Sequence, residues 1–126
     1  MEAVMATLDN RVFDNGLTVL DTEANAIHIT SAAATSYANV AVVTLGNSTS
    51  LSIGAPADRA GGGREVVVAA ITDGAVTGTG IATTYAIVDT VNSRLLATGA
   101  LTASQSVTSG NSFTLSSVAI GIPDPV

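Results

Sequence analysis

The stretch NSFTLSSVAIGI, residues 111–122, contains the pattern that decides the fold. Its apolar residues change parity along the chain, with Phe113 and Leu115 followed by Val118, Ile120 and Ile122. Because side chains alternate between the two faces of a strand, the register must shift near Ser116–Ser117 through a bulge or bend. Such a bend lets one run of chain serve two sheets or reach a neighbour. Pro123 and Pro125 then end the strand, since proline cannot donate to a ladder.

The same kind of pattern extends back to about Ala26, with runs rich in Val, Ile and Thr separated by clusters of Gly, Asn, Asp and Ser. This spacing is typical of a sandwich or barrel. It predicts an all-β protein, an antiparallel β-sandwich or jelly-roll-like barrel of about 7–8 strands, within a single domain of residues 1–126. The predicted strands are Ala26–Ser31, Val40–Leu45, Leu51–Ile53, Arg64–Ile71, Thr79–Val88, Arg94–Leu101 and Asn111–Ile122.

Two further patterns refine this prediction. Residues 64–71, REVVVAAI, are apolar on both faces from Val66 onward, which predicts a central strand covered on both sides. Turns are predicted at TDG (72–74), DTVNSR (89–94) and TSGN (108–111), because Gly and Asn accept positive φ at low cost. The last two turns join neighbouring runs closely, which suggests an antiparallel meander.

Residues 1–24 are predicted to form an N-terminal arm or helix ahead of a sandwich at 25–126. One helical face would contain Leu8, Val12, Gly16, Val19 and Leu20. Thr7 or Asp9 could cap this helix. Asn15-Gly16 is also a strong hairpin signal, which would pair RVFD with LTVL. We favour the helix, with Gly16 lowering its stability, and Met5 is an alternative start of the chain.

Composition excludes several classes of function. The chain has ten acidic residues, four arginines and no lysine, for a net charge of −6. Nucleic acids and anionic membranes are therefore disfavoured as partners. The longest apolar run, Val66–Ile71, falls short of the ~20 residues of a membrane-spanning helix, and the N-terminus lacks the basic region of a secretory signal. Two Phe, two Tyr and no Trp leave a core of small aliphatic groups, so burial in an oligomer would add stability.

The sequence predicts no catalytic, metal or cofactor site. His28 is the single histidine, in the strand AIHITS, with its side chain expected to point outward and a structural role. DNRVFDNG (9–16) lacks the alternating acids and final Glu of a calcium loop. No serine lies in a G-x-S-x-G elbow. GTGIAT (78–83) lacks the third glycine of a dinucleotide fingerprint and leads into a strand.

DRAGGGRE, residues 58–65, raises the question of an anion site. It lacks the lysine and the following helix of a phosphate loop. Half of the arginines of the chain lie here, and arginine is favoured at protein interfaces. We therefore predict a mobile loop that becomes ordered against a neighbouring subunit. Its candidate contact residues are Asp58, Arg59, Gly61, Gly62, Gly63 and Arg64. The alternative is a plain connection with balanced charge.

A distinctive set of residues lies in the C-terminal half: Thr77–Thr84, Tyr85, Asp89, Ser93–Gly99, Val107–Asn111, Phe113, Leu115 and Ile122-Pro123. In these residues the chain resembles small proteins of tailed bacteriophages and prophages. LDNRVFDNGLTVLDTEA and APADRAGGGREV extend the resemblance over nearly the whole chain. It implies a virion structural protein. The size, acidity and β-sandwich pattern are similar to those of capsid decoration (cement) proteins, and the resemblance supplies no catalytic residues.

These features lead to the expectation of a non-enzymatic decoration protein on the capsid exterior, made in the host bacterial cytoplasm. Its partners would be the major capsid protein and itself, with a trimer favoured. A tail or head–tail connector component is the first alternative. A carbohydrate-binding module is another, although it would need exposed aromatics, and the chain has only Phe13, Tyr37, Tyr85 and Phe113. A small hydrolase is nearly excluded, because no serine lies in a G-x-S-x-G elbow and His28 is the only candidate base.

Overall fold

A computed structural model describes residues 9–123 and has two helices and nine strands in that part of the chain. The elements are α1 (Asn10–Glu23), β1 (Ala26–Thr30), α2 (Tyr37–Val43), β2 (Thr44–Ser48), β3 (Ala57–Asp58), β4 (Arg64–Val68), β5 (Ile71–Val76), β6 (Gly80–Asp89), β7 (Arg94–Val107), β8 (Ser112–Leu115) and β9 (Val118–Ile122). Between residues 9 and 123, neither helix has the length and apolar character needed to cross a membrane.

Two antiparallel sheets form the body of the protein, which confirms the predicted all-β, sandwich-like fold. A curled six-stranded sheet has the order β7-β6-β1-β2-β5-β8, and a smaller sheet has the order β3-β4-β9. The two faces of strand β1 enter different clusters, because Ile27 and Ile29 join the main core whereas Ala26 packs with Val40 of α2. The small sheet and α1 therefore lie on one face of the large sheet, and α2 lies on the other.

The break at Ser116–Ser117 confirms the register shift predicted from the sequence. Before it, Leu115 of β8 is opposite Ile71 in the six-stranded sheet. After it, Val118 of β9 is opposite Val68 in the small sheet. The chain thus passes from one sheet to the other within two residues, and apolar side chains from both segments reach the main core.

Residues 10–23 form the predicted helix, so the hairpin alternative is wrong. The side chain of Asp9 caps α1 by accepting a hydrogen bond from the Arg11 amide at 2.8 Å. The sequence predicted the wrong face of this helix as buried. The buried residues are Phe13, Leu17 and Leu20. The largest side chains of the helix turn toward the sheets, and only Leu20 belongs to both the predicted and the buried face. Leu8 and Thr7 lie outside the described residues.

The predicted strand at Val40–Leu45 is wrong, because most of it lies in α2. Ser36 caps this helix, with its side-chain oxygen accepting from the Asn39 amide at 3.1 Å. Val40 is the buried residue of α2 and packs against the outer face of the large sheet. A short apolar run is compatible with helix or strand, and here the cap and the contact with the sheet select a helix.

The covered strand at Arg64–Ile71 is also a wrong prediction. Strand β4 ends at Val68 and is central only in the small sheet, where Val66 and Val68 are buried but Val67 is 46% exposed. No described helix or strand covers Val67 on the outer face of this sheet, so the apolar sequence pattern did not imply burial.

Three smaller predictions also fail. TDG (72–74) lies inside β5, where Gly74 faces the Phe113 ring and the pairing shifts register. Leu51–Ile53 contributes a single bridge, from Ile53 to Val68, in place of a strand. The meander holds for β6 and β7 only, because β7 and β8 occupy opposite ends of the sheet order. In each case a long-range contact overrode the local signal.

Replacing Gly16 by alanine is expected to stabilise the dilute protein by about 0.5–1 kcal/mol, because glycine is unfavourable inside a helix. The added Cβ would meet Ile122 Cδ1 at 3.6 Å, an ordinary van der Waals distance. Gly46→Ala is the contrasting variant, since its Cβ would meet the Ala75 carbonyl oxygen at 2.5 Å and should destabilise the protein. Urea unfolding measures both, and a less stable Gly16→Ala variant would contradict the packing of α1.

Candidate functional site

The loop in DRAGGGRE, residues 58–65, forms a tight hairpin between β3 and β4. Asp58 and Arg64 are opposite each other at its base. The Arg59 amide donates to the Gly63 carbonyl at 3.0 Å, and the Gly62 amide donates to the Arg59 carbonyl at 3.1 Å. These bonds give the loop a defined conformation in the single chain, where the sequence predicted a mobile one.

The three glycines of the hairpin have φ values of 89° at Gly61, 108° at Gly62 and 91° at Gly63. Side chains rarely adopt this left-handed region, so glycine is required by the backbone. At Gly63 a Cβ would also overlap the carbonyl oxygen of Ile122 in β9. The glycine run therefore allows a tight turn to lie against the end of a neighbouring strand.

Arg64 is the centre of an intramolecular ion-pair network. Its Nε is 2.9 Å from Asp14 Oδ1 and its Nη1 is 2.7 Å from Asp58 Oδ1, while Nη2 donates to Asp14 Oδ2 at 3.2 Å and to the Pro56 carbonyl at 3.3 Å. The hydrogen bonds to Asp14, and then those to Asp58, raise the pKa of Arg64 above its ordinary value. This bidentate contact ties α1 to the small sheet. Arg64 is thus placed in the fold, with its donors facing inward.

Besides Arg64, the charged residues of the hairpin are Asp58, Arg59 and Glu65. The Asp58 side chain is 88% exposed, and Arg59 and Glu65 are half-buried. The Arg59 side chain lies over Gly121 of β9, and its Nη1 donates to the Gly62 carbonyl at 3.1 Å. Of the contact residues predicted from the sequence, Asp58 and Arg59 are the charged ones that are not held inward.

Arg64→Ala is expected to lower the melting temperature, because it leaves Asp14 and Asp58 without their cation and releases one attachment of α1. Arg64→Lys should recover only part of the loss, since an ammonium group cannot form the bidentate contact. Arg59→Ala is the matched control and should have the smaller effect. Equal falls in melting temperature for Arg59→Ala and Arg64→Ala, measured by circular dichroism, would contradict this assignment.

His28 lies in β1 on the face opposite Ile27 and Ile29, as the sequence predicted. Its Nδ1 is 2.8 Å from Thr44 Oγ1, and burial lowers the pKa of its imidazole. Across residues 9–123, no group of three or more His, Cys, Asp and Glu side chains is placed to hold a metal ion. Asp14, from the calcium-like stretch, instead binds Arg64. In GTGIAT (78–83), strand β6 begins at Gly80, so this stretch leads into a strand as predicted.

Asp89 is a buried carboxylate that sequence reasoning did not identify. It is 2% exposed at the end of β6, beside a groove of about 270 Å³ that also borders the last turn of α1. Its Oδ2 accepts from Asn92 Nδ2 at 2.8 Å, and its Oδ1 accepts from the amides of Val91 and Asn92 at 3.0 and 3.3 Å. The carboxylate stabilises the β6–β7 turn through these hydrogen bonds. The sequence DTVN indicates this role, because an aspartate at the start of a turn commonly accepts from the amides that follow it.

The pKa of Asp89 is lowered from 3.8, chiefly by the side-chain hydrogen bond from Asn92, while burial opposes the shift. A lowered carboxyl pKa contributes stability that is complete above pH 3.8 and is lost as the pH falls through the folded-state value.

Asp89→Asn should therefore weaken the dependence of stability on pH below about 4, and Asn92→Ala should weaken it in part. Urea unfolding at a series of pH values between 7 and 2 measures the slope. A slope in Asp89→Asn equal to that of the unsubstituted protein would overturn the assignment.

Charged side chains are concentrated on one side of the molecule. Between residues 9 and 123, every charged residue except Asp73 lies on α1 and its cap, on the β3–β4 hairpin or at the β6–β7 turn. Arg64 joins the hairpin to α1, and a contact of 3.0 Å between Arg94 and Glu23 joins the turn to its last residue. The α2 side, residues 31–43, has no charged residue and exposes Val42 by 78%.

A second groove, of about 360 Å³, lies between the two edges of the curled sheet. Residues 100–105 of β7 form one wall, and the junction of β8 and β9 at 115–119 forms the other. The Gln105 side chain crosses beside it, with Nε2 donating to the Thr114 carbonyl at 2.8 Å. Apart from the amide of Gln105, its lining side chains are apolar or hydroxyl-bearing, and none is charged.

Comparisons of the chain with protein-family models, with characterised proteins and with solved structures find no match. The charged α1 side and the uncharged α2 side are the two surface features that bear on function, and they lie on opposite faces of the large sheet.

Proposed function

We propose that the protein is a non-enzymatic structural protein of a phage virion, a decoration protein that binds the outer surface of the capsid and stabilises the shell. The proposal begins from the resemblance of the chain to small proteins of tailed phages. In this role the protein is a symmetric oligomer whose partners are the major capsid protein and further copies of itself.

The separation of charged and uncharged surface is the observation that supports this function best. The α2 side exposes small and apolar side chains, among them Ala38, Ala41 and Val42. Such a surface can be buried against another protein without removing charges from water, which would be costly. The charged residues of α1, the β3–β4 hairpin and the β6–β7 turn are suited to remain in solvent. We infer that α2 faces the capsid and α1 faces outward.

The arginines of the chain also favour a protein partner over nucleic acid. Arg64 and Arg94 bind carboxylates of the same chain, and Arg59 donates to a backbone carbonyl. A nucleic-acid interface requires clustered cations that are available to phosphates. The β3–β4 hairpin remains a proposed contact with a neighbouring subunit, through Asp58 and Arg59.

Val42→Glu is expected to weaken attachment to capsids at least tenfold, since it places a charge in the proposed contact. Val91→Glu is the matched control, because Val91 is 82% exposed at the β6–β7 turn on the charged side. Co-sedimentation with purified capsids compares the two variants, after circular dichroism has established that both fold.

Cryo-electron microscopy of capsids with bound protein gives the location. Density on the outer capsid lattice is the expected result. Density confined to the tail would support a tail or connector role instead, and the absence of binding to either structure would overturn the virion assignment.

A further inference from the structure

Helix α1 has two flanks beside its buried face, and they point in different directions across the small sheet. On one flank Asp14 reaches Arg64 of the central strand β4. On the other, Gly16 lies next to the Ile122 side chain of β9. Because the order of this sheet is β3-β4-β9, the Gly16 flank faces the open edge of β9.

The Gly16 flank is apolar and exposed. Val12, Gly16 and Val19 follow one another at i, i+4 and i+7, so they lie along one line of the helix. Val12 is 56% exposed and Val19 is 38% exposed, and Ile122 beside them is 36% exposed. We call Val12, Gly16, Val19 and Ile122 the α1–β9 strip. Scattered apolar residues are normal on a surface, but a continuous strip next to a strand edge indicates an interface.

Within residues 9–123, strand β9 leaves one edge unpaired. It pairs with β4 on one side, and no described strand pairs with its other side. The sequence VAIGI, residues 118–122, contains no charged residue and no proline, and the Arg59 side chain lies over its outer face at Gly121. At the opposite edge of the same sheet, β3 has two residues, follows Pro56 and includes Asp58. Natural proteins guard free edges with short length, charge or proline, and the five residues of β9 supply neither charge nor proline of their own.

We propose that the β9 edge and the α1–β9 strip together bind a second copy of this chain across a two-fold axis. Strand β9 of one copy pairs antiparallel with β9 of the other, centred on Ile120. Val118 then lies opposite Ile122 of the second copy on the inner face, and Ala119 lies opposite Gly121 on the outer face. The two small sheets become one continuous sheet, with both α1 helices on the same side.

The surface is self-complementary, which identifies the occupant as another copy. An isologous contact requires each patch to fit itself, and an uncharged antiparallel strand edge meets this requirement. The two helices also run antiparallel. The partial positive charge at the N-terminus of each helix then lies beside the partial negative charge at the C-terminus of the other, which is favourable. Gly16 allows the helices to come close.

This inference rests on the oligomer in the proposed function and names its contact surface. It does not depend on whether the oligomer binds a capsid. A two-fold contact gives a dimer, with twice the 12.4 kDa mass of the chain, where the sequence led to the expectation of a trimer.

Val19→Lys tests the strip without disturbing the core. It adds one charge at an exposed position of α1, and lysine is a good helix former. Thr18→Lys is the matched control, because Thr18 is the exposed neighbouring residue outside the strip. Light scattering over a range of concentrations should give a dimer for the unsubstituted protein and for Thr18→Lys. Val19→Lys should dissociate at least tenfold more readily.

Hydrogen exchange tests the strand pairing. Amides of 118–122 should exchange more slowly in concentrated than in dilute unsubstituted protein, and this difference should be absent in Val19→Lys. A single-chain mass at all concentrations up to about 1 mM, a trimer, or equal behaviour of the two lysine variants would overturn the proposal. A dimer that is broken by Val19→Lys but does not bind capsids would leave the inference standing and contradict the proposed function.

Discussion

The strict alternation of side chains along a β-strand is the constraint on which this structure depends. Between Leu115 and Val118 the apolar residues change parity, so one flat strand could not bury all of them on the same side. The chain resolves the conflict by leaving the six-stranded sheet and entering the small one. The chain at 115–118 therefore connects the two sheets, and side chains on both sides of this junction pack into one core.

The two helices cover the core of small aliphatic side chains on the two faces of the large sheet. Helix α2 inserts Val40 against one face of the large sheet. Helix α1 inserts Leu17 and Leu20 between the small sheet and β7 on the other. The outer face of the small sheet receives no such cover, which is why Val67 and the edge of β9 remain on the surface.

The same arrangement separates the chemistry of the surface. Because α1 contacts both the β3–β4 hairpin and the β6–β7 turn, residues far apart in sequence combine into one charged side. The uncharged α2 side and the apolar α1–β9 strip lie on different parts of the surface. The proposed capsid contact and the proposed dimer contact therefore do not compete.

The sequence by itself determined the β class, the capped N-terminal helix, the β6–β7 hairpin and the division of the last strand. These features follow from local periodicity, turn residues and caps, which act over a few neighbouring positions. Only the tertiary structure decided that 37–43 is helical, that β4 is covered on one face, and that Arg64 binds Asp14 fifty residues away. The glycine run was predicted as a mobile loop, and neither its tight turn nor the inward role of Arg64 was predicted, because a long-range ion pair depends on how α1 packs. Local pattern specified most of the elements, whereas packing decided the helical form of 37–43 and which faces of the elements stay in water.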